Sequence, residues 1–482
     1  MSKKPTNSRR TFIKNTALTS FGISIIPRHV MGHGFIPPSD KLNIAVIGAG
    51  GKGYSDGMNV WNNGASNIAA ICDVDWHSAG RFIEKFPKAN KYKDFRILFD
   101  KEKDIDAVTI STPDHTHAVI TLAAMKLGKD VYVQKPLTHN IHEARVLTKA
   151  AREYKIVTQM GNQGASGKGV KKMIEWFDSG IIGAVDTVHV WTNRPVWPQG
   201  IETPTDKPPL LDGLAWDNWI GPAQWVDYHP LYHPFKWRGW WNFGTGALGD
   251  MGCHLIDPPF RVLGLGYPTE VESSVGAIFK QDWVPEYLPE SCPPSSRTQL
   301  KFPATAKNSK GITLTWSDGG IRPFHPDLIP ADHPIGDDNS ANGVIMIGEK
   351  GIMTCGVYAR NPKVYLNNGE LLTYDDSEGE NSLPENGHPT DWVEACKEGY
   401  GKPKHQALTS SFDFAGPLTE SILMGNLAIR SYNLRREVSP NRFEYPGRKK
   451  LLWDGDLMKI TNFDPANQFV KREYREGWSL NV

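Results

Sequence analysis

From residue 42 the chain alternates short apolar runs with longer amphipathic stretches, the rhythm of parallel strands linked by helices. Residues 42–47 read as a strand, 51–61 as a helix and 68–73 as a second strand, together one βαβ unit. Residues 106–111 and 130–133 read as further strands, each followed by an amphipathic helix, near 116–127 and 141–154, and residues 156–159 read as the last strand. This pattern predicts an α/β protein whose first folded domain, residues 40–163, is a doubly wound parallel sheet. Residues 164–482 make a second domain with weaker periodicity. There, 281–345 is rich in Pro, Ser and Asp and reads as long loops of a substrate-side lid or interface insertion. Residues 349–356 read as strand and turn, 410–430 as an apolar-striped helix, and the remainder from 437 as a surface wrap.

The turn after the first strand is Gly48-Ala49-Gly50-Gly51-Lys52-Gly53. In a dinucleotide-binding Rossmann domain the first glycine of such a fingerprint allows the tight turn, the second lets the backbone approach a pyrophosphate, and the third packs helix on strand. The helix start at Gly51 and Lys52 offers unpaired N–H groups to the phosphates. Asp73, closing the second strand, suits the hydroxyls of an adenosine ribose and repels a 2'-phosphate, so NAD is favoured over NADP. Asn162 and Gln163 follow the last strand and are expected at the nicotinamide end of the cleft.

Composition narrows the partners. Lys plus Arg number 54 against 53 Asp plus Glu, so no basic footprint points to nucleic acid. Five cysteines without CxxC or CxH spacing argue against a zinc site or redox dithiol. His115 and His117 sit at a strand-to-helix turn where one histidine suits cofactor better than metal, and prolines at 230 and 234 deprive His229 and His233 of a regular helix, so no metal is expected. Ahead of the folded part, Ser8-Arg9-Arg10-Thr11-Phe12-Ile13-Lys14 and a modestly apolar stretch at 17–26 read as a twin-arginine leader, with 1–39 as signal and linker. The expected location is periplasmic, through the twin-arginine export machinery, with the leader either cleaved or kept as a loose membrane anchor.

Two further stretches carry chemistry. Gln134-Lys135-Pro136 lies at the C-terminal end of a sheet strand, where ligands bind in open α/β sheets, and Pro136 restricts the backbone of Lys135. Residues 246–257, if helical, place Asp250, His254 and Asp257 on one face. Pro258 and Pro259 should interrupt that helix and make Asp257 the N-cap of a restarted one. Residues 176–241 hold nine of the 16 tryptophans, enough flat apolar surface to suit sugar rings, although most should serve packing. Trp240, Trp241 and Asn242, next to the 246–257 segment, together with Asn193 and Arg194, are the candidate substrate contacts.

With these motifs in place the chain resembles the Gfo/Idh/MocA family over roughly residues 40–430. The resemblance rests on the glycine turn, on Thr112-Pro113 with His117 leading into a helix, on Lys135-Pro136, and on Asp250 with His254 four residues on. It implies a Rossmann domain followed by a C-terminal α/β domain with an open, mostly antiparallel sheet that often serves oligomer contacts, here a dimer or tetramer. It also implies NAD as cofactor, contacted by Thr112, Pro113, His117, Gln134 and Lys135 as well, a sugar, cyclitol or related polyol as substrate, and Lys135, Asp250 and His254 as the catalytic group. Gln134 stands where the family has glutamate, which takes a neighbouring negative charge from Lys135. The chemistry fits: His254 accepts a hydroxyl proton, Lys135 stabilises the developing alkoxide, and Asp250 orients substrate or imidazole. Outside the cytoplasm no free nicotinamide pool can be assumed, so a tightly held cofactor, recycled in the site, is expected. The alternatives are redox-neutral glycoside cleavage through a keto sugar and a non-catalytic NAD-binding protein.

Overall fold

Six short strands pair as an all-parallel sheet in the order β3-β2-β1-β4-β5-β6. They are β1 (Asn43–Ile47), β2 (Asn67–Cys72), β3 (Asn90–Tyr92), β4 (Ala107–Ile110), β5 (Asp130–Val133) and β6 (Thr158–Met160). The computed structural model describes residues 41–374 and 387–480; the leader and linker read at 1–39 lie outside them. Helices cover both faces, so the central strands are buried on both sides; this is why β1 and β4 read as continuous apolar runs rather than alternating ones. The connecting helices are α1 (Lys52–Trp61), α2 (Trp76–Lys85), α3 (Phe95–Lys101), α4 (Asp114–Lys126) and α5 (Ile141–Tyr154). Their starts are chemically marked: Asp75 caps α2 through the N–H groups of His77 and Ser78, and Asn140 with Glu143 forms a capping box on α5.

The pattern of apolar positions had yielded no element between Asp73 and residue 106. The structure places α2, β3 and α3 there. β3 is an exposed edge strand of three residues, Asn-Lys-Tyr, too short and polar to leave a period-2 signal.

Helix α6 (Lys168–Asp178) leads into a second sheet of ten strands. These are β7 (Val185–Trp191), β8 (Glu270–Val275), β9 (Ser296–Phe302), β10 (Ile312–Ser317), β11 (Gly343–Gly348), β12 (Gly351–Cys355), β13 (Lys363–Leu366), β14 (Leu371–Thr373), β15 (Leu451–Asp454) and β16 (Lys459–Ile460). Their order is β14-β13-β12-β11-β7-β10-β9-β8-β15-β16, antiparallel throughout except for the parallel β10–β7 pair. The long loops read at 281–345 are thus corrected: β9 and β10 and the start of β11 are central strands. In β9 buried and exposed positions alternate, but Pro- and Ser-rich connections on either side dilute the signal.

Between β7 and β8 run α7 (Trp216–Ile220), α8 (Gly246–Leu255) and α9 (Asp257–Val262). The interruption expected at Pro258 is present, but Asp257 is the first residue of α9 and not its cap, and its carboxylate pairs with Arg261 at 2.8 Å. After α10 (Gly387–Glu398) and α11 (Pro403–Gln406), the long helix α12 (Phe412–Tyr432) is buried on nearly every side. It packs against α5, α8 and β8, wedging the two sheets into one core. Its buried Glu420 carboxylate is held by Arg145 of α5.

The last described residues return to the first domain. Glu143 of α5, fully buried, accepts from Arg472 Nε at 3.0 Å and Tyr474 Oη at 2.7 Å as well as from the main chain of His139. Removing one partner of a buried ion pair leaves an uncompensated charge and costs roughly 3–5 kcal/mol. Glu143→Ala should therefore lower unfolding stability by about that amount in denaturant titration; a loss under about 1 kcal/mol would contradict this account of the tail.

Candidate active site

The C-terminal ends of the parallel strands open onto a cavity of about 850 Å³. One end is formed by Asp73, Ser78 and Phe95 beside β2 and β3, the middle by the glycine turn, and the other end by Gln134, Lys135, Asp250 and His254. The turn lies where the strand order reverses, between β1 and β4. Gly48 has φ 78°, and a Cβ there would lie 2.8 Å from the main chain of Ser111. A Cβ on Gly53 would lie 1.7 Å from the Gly48 carbonyl oxygen, so helix and turn touch only because both residues lack side chains. Among the described residues no side chain caps α1, and although the Gly53 N–H already donates to the Gly50 oxygen at 2.9 Å, the positive dipole end of the helix is left open to an anion. This cradle fits the pyrophosphate of a dinucleotide.

Asp73 serves the same loop. Its Oδ2 accepts from the N–H groups of Ala49 at 2.8 Å and Gly50 at 3.2 Å, and its Oδ1 from Asp75 at 2.9 Å. Burial raises its pKa to about 6 in spite of these hydrogen bonds. Behind the turn, the buried Asp56 carboxylate takes Lys52 Nζ at 2.6 Å, Ser111 Oγ at 2.8 Å and Gln134 Nε2 at 2.9 Å.

At the far end, Lys135 leaves β5 and reaches α8. Its Nζ donates to the Asp250 carbonyl oxygen at 2.7 Å and to the Asp250 carboxylate at 2.8 Å. Arg238 approaches the same carboxylate at 3.6 Å. Burial pushes the Asp250 carboxyl up, but the two cations outweigh it and hold it below the ordinary carboxylate range. The charge that Gln134 does not supply to Lys135 thus comes from Asp250. His254, one helical turn on, is 6% exposed, and burial together with the Lys135 charge depresses its pKa well below that of a free imidazole. It is neutral at pH 7, competent to accept a proton.

The His254 Nδ1 is buried without a hydrogen-bond partner among the described residues, so packing sets the ring's direction. That packing comes from Tyr358, whose ring stands edge-on to the imidazole at 4.6 Å between centroids. Tyr358 and Ala359 both hold left-handed backbone, with φ 63° and 59°, conformations that cost non-glycine residues about 1–3 kcal/mol each. Asp337 steadies the turn by accepting from the Val357 N–H at 2.9 Å, and Gly164 makes room for it, since a Cβ there would lie 2.9 Å from that of Tyr358.

Of the residues proposed from sequence, the cavity wall brings together Gly48, Gly50, Gly51, Lys52, Asp73, Thr112, Pro113, Gln134, Lys135, Gln163, Arg194, Asp250 and His254. Others lie elsewhere. His117 is buried with its two ring nitrogens each 2.8 Å from a main-chain oxygen, of Pro136 and of Thr112, which ties together the ends of β5 and β4. Asn162 donates to Asp257, and Asn193 accepts from the Arg194 guanidinium. Trp240 is packed in an aromatic cluster with its Nε1 bonded to the Leu231 oxygen, Trp241 lies in the main core, and both amide atoms of Asn242 are bonded to the main chain of Gln224. From the tryptophan-rich stretch the wall takes Trp219, Trp237 and Arg238 instead, with Arg238 lying 4.2 Å over the Trp237 ring. A cation next to a tryptophan, three residues from the ones chosen, was the available signal; for Tyr358 the sequence offers none.

The parallel sheet with its glycine turn and anion cradle defines a dinucleotide-binding α/β fold. Residues 42–162 match the family model of the Gfo/Idh/MocA oxidoreductases for an NAD-binding Rossmann fold, and residues 166–282 match that family's C-terminal alpha/beta domain. These two matches support the Gfo/Idh/MocA family. It is 25% identical over 255 residues to levoglucosan dehydrogenase of Pseudarthrobacter phenanthrenivorans, across 51% of this chain and 55% of that protein. It is 28% identical over 162 residues to an alpha-N-acetylgalactosaminidase of Shewanella oneidensis, across 31% of this chain and 35% of that one. The chain thus matches only about half, or a third, of the length of these relatives. A levoglucosan dehydrogenase structure in complex with NADH and L-sorbose shares the fold, with TM-score 0.55 and 17% identity over 81% of this chain and 97% of the other.

Two outcomes follow from this geometry. Ionised Asp73 has acceptor capacity left for ribose hydroxyls, and protonation removes it; because its pKa is raised to about 6, NADH affinity should fall as pH drops through about 6. In fluorescence titrations Asp73→Asn should bind more weakly and lose that dependence; an unchanged pH profile in the variant assigns it to another group. Tyr358→Ala should hydrate His254 and raise its imidazole pKa toward the ordinary value, seen by NMR of ring-labelled histidine, while Tyr358→Phe should leave it depressed.

Proposed function

We propose that the chain is an NAD-dependent oxidoreductase acting on a secondary alcohol of a sugar, cyclitol or glycoside. The observation that carries this reading is the placement of Lys135, held by Asp250, beside a neutral His254 on the wall of the same cavity that holds the glycine turn. The anion cradle at α1, Asp73, Thr112, Pro113 and Gln163 would hold the dinucleotide. A bound nicotinamide supplies the two-electron acceptor for the carbinol hydrogen. The protein's own groups do the rest. His254 takes the hydroxyl proton, and the Lys135 ammonium donates to the same oxygen and stabilises its negative charge. Asp250 keeps that ammonium in place rather than orienting the imidazole. Arg194, Trp237 and Arg238 offer a sugar hydroxyl donors and an aromatic face.

The similarity to an alpha-N-acetylgalactosaminidase favours a second reading, in which the alcohol is oxidised, the aglycone eliminated, water added and the carbonyl reduced in one bound cycle. Export through the twin-arginine leader would suit both readings, because a folded chain carries its nucleotide with it.

The purified protein, its bound nucleotide identified by chromatography, is incubated with a panel of sugars, cyclitols and aryl glycosides. Nicotinamide absorbance change without aglycone release supports the dehydrogenase, and aglycone release without net NADH supports the cleavage cycle. Neither, across the panel, favours a binding protein. Lys135→Ala and His254→Ala should each lower kcat by about 10²–10⁴-fold while NADH still binds. Wild-type rates in both variants would overturn the site.

A further inference from the structure

The end of the cavity opposite Lys135 is enclosed by parts of the chain far away in sequence. In a dinucleotide-binding fold the acidic residue closing β2 faces the adenosine ribose, so Asp73, Ser78 and Phe95 mark the adenosine side. Two segments reach across it.

The first runs from Gly213 to Trp219. Leu214 forms an isolated antiparallel bridge with Asp75, and the Ala215 N–H donates to the Val74 oxygen at 2.9 Å. Lys93, just after β3, donates to the Gly213 oxygen, and Asn218 Nδ2 donates back to the Lys93 oxygen at 3.0 Å. His233 Nε2 lies 3.4 Å from the Asp75 carboxylate. The segment is stiffened by Trp216 stacked on Trp219 at 4.5 Å and 8°.

The second segment is the tail. Arg475 pins it by donating to the Gly221 oxygen at 3.0 Å and to the Asp217 carboxylate at 2.6 Å, which also fastens it to the first segment. Trp478 then meets the Phe95 ring at 6.0 Å, with the Arg96 guanidinium 4.7 Å over its own ring. Lys93, Phe95, Asn218, Trp219 and Trp478 all line the cavity.

We propose that residues 213–219 and 472–478 form a roof over the adenosine subsite, and that NAD enters and leaves only when this roof lifts. The inference rests on the reading of the cavity as an NAD site. Its chemistry suits the occupant: the aromatic rings of Phe95, Trp219 and Trp478 match the flat faces of a purine, and the polar edges of Asn218 and Lys93 match its nitrogens. The hydrogen bonds that hold the roof run largely from one part of the chain to another, so it stands without a nucleotide beneath it. Unlike a side chain that merely touches bound cofactor and slows release, a roof slows association and release together.

The test uses the full chain freed of nucleotide, with NADH binding followed by stopped-flow fluorescence and release followed by displacement with excess NAD. Arg475→Ala and Asp217→Ala, which unfasten the tail from the first segment at positions that do not line the cavity, should each raise both rate constants by about tenfold or more, with the equilibrium affinity moving less than either rate. If one variant does not fold by circular dichroism, the other carries the test alone. Wild-type rates in the folded variants, or faster release with unchanged association, overturn the roof. A wild-type chain that binds NADH in neither assay removes the NAD reading itself, and the roof with it.

Discussion

The contact between Lys135 and Asp250 is the constraint around which the molecule is arranged. One partner ends a strand of the parallel sheet and the other sits in a helix of the second half, 115 positions away. Both side chains are about one-sixth exposed, and withdrawing such charges from water costs several kcal/mol per ion unless the geometry repays it. Two hydrogen bonds from one ammonium and the additional field of Arg238 offset part of that cost here. The pair fixes the helix register one turn before His254, whose ring is then aimed by the packing of Tyr358. Helix α12, wedged between α5 and α8, holds the same relation from behind.

A second economy lies in the division of charge along the cavity. At the adenosine side a carboxylate is kept near its titration point by burial, and at the reaction side a carboxylate is kept ionised by two cations while the neighbouring imidazole is kept neutral. Two aspartates with opposite shifts follow from environment alone: main-chain N–H groups do not offset burial at Asp73, whereas full charges do at Asp250.

What the sequence made legible was whatever depends on local pattern. Buried parallel strands leave continuous apolar runs, and the glycine turn leaves a spacing, so the first sheet and the turn could be read directly, whereas Lys135, Asp250 and His254 were brought into one group only by the family resemblance. Residues whose role depends on long-range packing were not. Trp240 and Trp241 are chemically the same as Trp219 and Trp237, and only the fold decides which rings face the cavity. Tyr358 sits in an irregular turn whose left-handed backbone has no signature, because neither Tyr nor Ala favours it. β3 was missed because three residues, two of them polar, carry no period-2 signal, and the strands within 281–345 because the Pro- and Ser-rich connections beside them dilute theirs.

The tail that meets Glu143 and Phe95 also sets an order of events. The glycine turn and the Asp73 end of the groove are built by the first third of the chain, yet Trp478, more than 300 positions later, lines it too. During synthesis the Rossmann strands emerge and pair long before Trp478 emerges, and a contact of such sequence separation forms late. A nascent chain therefore presents an open groove, and its conversion to a closed one marks the completion of folding rather than its beginning.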